Sequence, residues 1–85
     1  MTSFAVALAA LPTGTFRGTS NGRRYVVTKT VLADSRTTKL IAEELGGADY
    51  ISLNHFALTS GTRLKPCEMS ADKVTAFVQD LVPDP

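Results

Sequence analysis

The most regular hydrophobic pattern in the chain lies near its C-terminus. In SADKVTAFVQDL, residues 70–81, the apolar positions Val74, Phe77, Val78 and Leu81 fall at i, i+3, i+4 and i+7. That spacing stripes one side of a helix, and Ser70 stands where a side-chain oxygen can cap its first turn. Elsewhere the period changes. TFRGTSNGRRYVVTKTVL reads as two extended runs around Asn21-Gly22, a pair that tolerates the left-handed backbone of a tight hairpin turn. The second run, Arg24 to Leu32, is rich in β-branched residues. DYISLNHFAL and RLKPCEM form another extended pair around Ser60-Gly61. Pro66 has no N–H to give a ladder, which places that last strand at an edge or gives it a bulge.

Between the pairs, DSRTTKLIAEELGG predicts a helix. Asp34 or Ser35 would cap it, Leu40, Ile41 and Leu45 would form its apolar side, and Gly46-Gly47 would end it. The opening segment is ambiguous. Phe4, Val6 and Leu8 alternate as in a strand, whereas Phe4, Leu8 and Leu11 suit a helix stopped at Pro12.

These elements predict an α+β fold: a two-layer sandwich with a four-stranded, mainly antiparallel sheet and two helices on one face, in the order ββαββα. Residues 1–14 form an N-terminal apolar segment, 15–82 a single domain and 83–85 a tail. One sheet face is covered by the helices, and the other is either solvated or buried against a second subunit. The shared hairpin-then-helix order of the two halves suggests an internal duplication, with no alignable residues beyond the NGRR and SGTR turns.

Composition changes this picture little. Eighty-five residues, 44% hydrophobic and 20% charged, make one small globular domain. At that size self-association is a natural supplement to a modest core. The eight apolar residues from Phe4 to Leu11 are too few to span a bilayer, and no lysine or arginine precedes them as in a secretory signal. One cysteine allows no internal disulfide, and one cysteine with one histidine makes no structural zinc site. The expectation is a cytoplasmic protein without cofactor or metal and without a membrane role. Charge is unevenly spread: residues 1–41 carry a net +5 and residues 42–85 a net −4. Such a chain can pair its halves, stack on copies of itself or face an anion.

Three candidate chemistries follow. Tyr50, Asn54 and Phe56 share a strand face of aromatic, hydroxyl and amide groups suited to a protein interface. The basic hairpin, with Arg17, Arg23, Arg24, Lys29 and Tyr25, suits an anion or a nucleic acid held by charge and stacking. Finally, His55 and Cys67 flank the second hairpin. A two-residue loop at Ser60-Gly61 sets His55 opposite Pro66; a three-residue loop sets it opposite Cys67, with better apolar matching. Even then a thiol nucleophile needs a stabilised thiolate and oxyanion donors that no motif here supplies. Binding to another protein or to a second copy is therefore the favoured reading, ahead of anion binding and of thiol chemistry.

Overall fold

The structure, a computed structural model, describes residues 3–32, 36–58, 61–66 and 69–85, with side chains described at all of these except 57–58, 61–63 and 65–66. Its elements run α1 (Phe4–Ala10), β1 (Gly14–Ser20), β2 (Arg23–Leu32), β3 (Thr37–Glu44), β4 (Tyr50–Leu58), β5 (Gly61–Pro66), α2 (Ala71–Asp80) and a two-residue β6 (Val82–Pro83). Five strands form an antiparallel meander and β6 extends it, in the spatial order β5-β4-β3-β2-β1-β6. The α+β class is as expected; the number and order of strands are not.

The largest correction concerns residues 34–47. The segment expected to be a helix is the central strand of the sheet, paired through Thr28–Ile41 with β2 and through Ile41–Ser52 with β4. Leu40 and Ala42 are buried while Lys39, Ile41 and Glu43 are exposed, a period of two rather than 3.6. Thr37, Thr38 and Ile41 favour that pleat, and two flanking ladders satisfy the backbone on both sides. Gly46 does adopt a left-handed conformation (φ 76°), but it turns β3 into β4 instead of ending a helix. The proposed caps Asp34 and Ser35 lie outside the described residues. The sheet is thus a meander and not two hairpin-plus-helix units, and the suggested duplication has no structural counterpart.

Other expectations hold. Asn21 (φ 52°) and Gly22 (φ 76°) turn β1 into β2, with Ser20 paired to Arg23. Ser70 Oγ accepts from the Lys73 N–H and caps α2, whose Val74, Phe77 and Val78 are buried. The opening segment resolves as a helix, capped by Ser3 Oγ accepting from the Val6 N–H. β5 is an edge strand that ends at Pro66.

The core lies on one side of the sheet. Tyr25 and Val27 from β2, Leu40 and Ala42 from β3, and Ile51 and Leu53 from β4 meet Leu8 and Leu11 from the α1 end and Val74, Phe77 and Val78 from α2. At the far edge Gly18 lets β6 approach closely: a Cβ there would stand 2.9 Å from the Val82 carbonyl oxygen. Both helices occupy the same face, so the opposite face of the meander carries no second layer among the described residues.

Candidate binding surface

Strand parity distributes the candidate residues between the two faces. On β2, Tyr25 and Lys29 point toward the helices and are 3% and 5% exposed, while Arg24, Val26, Thr28 and Thr30 point away. The basic residues of the hairpin are therefore divided between the two faces. Lys29 spends its ammonium on the end of α1, donating to the carbonyl oxygens of Leu8 (2.8 Å), Leu11 (2.9 Å) and Ala9 (3.3 Å). Burial lowers its pKa. Arg24 makes a two-pronged ion pair with Asp84, both N–O distances 2.6 Å, which holds the Asp84 carboxyl below its ordinary range. Arg17 is exposed at the β1 edge of the uncovered face, whereas Arg23 is exposed on the hairpin beside the helix layer.

Tyr50, Asn54 and Phe56 all lie on the uncovered face, alongside Ser52. Cross-strand pairing extends that line into a surface. Ile41 sits between Thr28 and Ser52; Glu43 sits between Val26 and Tyr50; Lys39 sits between Thr30 and Asn54. Ile41 is 38% and Tyr50 44% exposed, and Leu32 at the end of β2 is also exposed. Thr15 and Thr28 join hydroxyls across β1 and β2 at 3.1 Å. The result is a flat face with an apolar and hydroxyl centre, and with Lys39 and Glu43 on one strand. Apolar area mixed with hydrogen-bonding groups is the composition of a protein interface more than of a catalytic cleft. Sequence reasoning missed Lys39, Ile41 and Glu43 because it placed them on a helix. The signal that finds them is the alternation Lys39-Leu40-Ile41-Ala42-Glu43.

His55 lies on the covered face, its ring 5.5 Å from that of Phe4, and burial lowers its pKa. Neither expected register with the next strand occurs: Leu58 pairs with Gly61 and His55 with Leu64. Cys67 lies outside the described residues. Among the described residues no group of three His, Cys, Asp or Glu side chains is placed to hold a metal ion.

A cleft of about 550 Å³ opens between α2 and the first hairpin, lined in part by Arg23, Tyr25, Asp49, Lys73, Phe77 and Asp80. Its polar groups are largely engaged with one another. Asp49 accepts from the Tyr25 hydroxyl at 2.8 Å and from the Lys73 ammonium at 2.7 Å, and Asp80 accepts from the Asn21 N–H. Desolvation, then the Asp49 carboxylate, pushes the Tyr25 phenol up to about 12, and Lys73 holds the Asp49 carboxyl below its ordinary range. The Tyr25 ring meets Phe77 edge-on at 4.8 Å. These contacts tie α2 to the sheet, so the cleft reads as a seam between layers.

No helix among the described residues is long and apolar enough to cross a membrane. Compared with protein-family models, with curated proteins and with solved structures, the chain matches none.

Proposed function

We propose that the chain is a non-enzymatic, self-associating module that binds a second copy of itself through the uncovered face of its sheet. The observation that carries this reading is the one-sided placement of α1 and α2, which leaves Ile41 exposed in the middle of a five-stranded surface and Tyr50 exposed toward its end. Strands about 4.8 Å apart and about seven residues long cover on the order of 500 Å² of flat area. Side-chain relief raises the accessible area toward the ~800 Å² per partner of a standard interface.

A second copy fits this face because it carries both charge signs, Lys39 and Glu43, on one strand. Arg24 is already neutralised by Asp84, and Arg17 sits at the rim, where water screens it.

Sedimentation across a concentration series tests the reading. The native chain should approach twice its 9.1 kDa mass as concentration rises. Ile41→Lys should weaken association at least about tenfold, because it sets an unpaired charge in the desolvated centre of the contact. Its circular dichroism should stay native, since the Ile41 side chain faces solvent in the single chain. A strict monomer at high concentration that binds a single-stranded oligonucleotide in a salt-dependent way would favour anion contact instead.

A further inference from the structure

The charges on β3 distinguish between the ways two copies can meet. Ile41 has Lys39 two residues before it and Glu43 two residues after it, all on the uncovered face. Two sheets stacked face to face by a two-fold axis have two principal aligned choices. An axis parallel to the strands sets Lys39 over Lys39 and Glu43 over Glu43. An axis across the strands reverses strand direction and sets Lys39 of each copy over Glu43 of the other.

We infer that copies of this chain pair about a two-fold axis that crosses the strands at Ile41, with reciprocal Lys39–Glu43 contacts on either side of it. This rests on the self-association proposed above and specifies its geometry. Among the described residues the row on the axis is Thr15, Thr28, Ile41 and Ser52, all of them uncharged, so no like charges meet there. The rows on either side match as well. Val26 meets the Thr30 position and Tyr50 meets the Asn54 position, a pair of β-branched side chains and an aromatic–amide pair.

The match tolerates sheet twist. Lys39 and Glu43 lie about 7 Å along the strand from the axis. A crossing angle near 30° therefore displaces each pair by only ~3–4 Å, within reach of a lysine side chain. An isologous contact repeats each pair twice, so a mismatch also counts twice.

The test uses the full chain and its charge variants Lys39→Glu and Glu43→Lys, each followed by sedimentation at low ionic strength. Both positions are exposed in the single chain, and the doubly exchanged variant checks that neither change acts through folding. Each single variant should associate at least about tenfold more weakly than the native chain, since like charges then face each other on both sides of the axis. An equimolar mixture of the two should pair again as a heterodimer, and the double variant should pair with itself. If the native chain dimerises while the mixture stays monomeric, or while both single variants dimerise normally, the axis is wrong and self-association stands. A native chain that stays monomeric overturns both.

Discussion

Replacing Leu40 with alanine is expected to remove about 2–5 kcal/mol of unfolding free energy, the range for a buried leucine whose cavity only partly collapses. Leu40 is fully buried in the central strand, paired with Lys29 on one side and Leu53 on the other. Core groups from both helices close over the same face, so relaxation into the space is limited. Against the 5–15 kcal/mol typical of a whole domain, that is a large fraction. The informative control is the next residue. Ile41→Ala, measured with the protein dilute enough to be a monomer, should cost about 1 kcal/mol or less, the scale of lost strand propensity at a solvent-facing position. On a helix with Leu40, Ile41 and Leu45 along one side, both substitutions would damage the same stripe. A large gap between the two urea midpoints, with the denaturant slope unchanged, is what the strand requires.

The second large effect is at Lys29. Burying an ammonium costs several kcal/mol before any partner is counted, yet here its partners are only carbonyl oxygens at the end of α1. Three charge-assisted bonds and the negative end of the short helix offset that cost. Lys29→Met keeps much of the stem and removes the donor. The Leu8 carbonyl retains its bond from the Leu11 N–H, and exposed Ala9 can turn to water. The Leu11 carbonyl loses its ammonium partner. The expected outcome is a loss of about 1–3 kcal/mol, the usual penalty for a stranded buried polar group. Amide exchange should rise first across Val6–Leu11, because α1 loses its tether before the sheet opens. A variant as stable as the native chain, with α1 equally protected, would mean that the ammonium contributes nothing net.

These two residues also show what could be read from the chain and what could not. α2 was legible because its stripe, its Ser70 cap and its length all agree. The first hairpin was legible because Asn21-Gly22 has a strong local preference for one backbone shape. β3 was not. Lysine, leucine, alanine and glutamate are good helix formers, and the strand signal spans only the five residues Lys39 to Glu43. What makes that segment a strand is the pair of ladders on either side, whose partners lie outside the segment in β2 and β4. Lys29 is a similar case. Alternation put it beside Val27 and Val31, but nothing local says that a neighbouring helix end will supply carbonyls to an ammonium. Tyr50, Asn54 and Phe56 could be grouped on one face by period alone, whereas Ile41 could join them only once β3 was known to be a strand. The register of β4 with β5 turned on where the loop begins, and Leu58–Gly61 pairing excluded both expected alternatives.

The uncovered sheet face is where two copies should meet, and concentration-dependent nuclear magnetic resonance reads that location directly. On raising the protein concentration, backbone and methyl signals should move together at Thr28, Ile41, Tyr50 and Ser52, while those of Val6 and Ala76 on the helices stay fixed. Shifts confined to the helices or to the cleft around Asp49, with the signals of β3 unmoved, would contradict it.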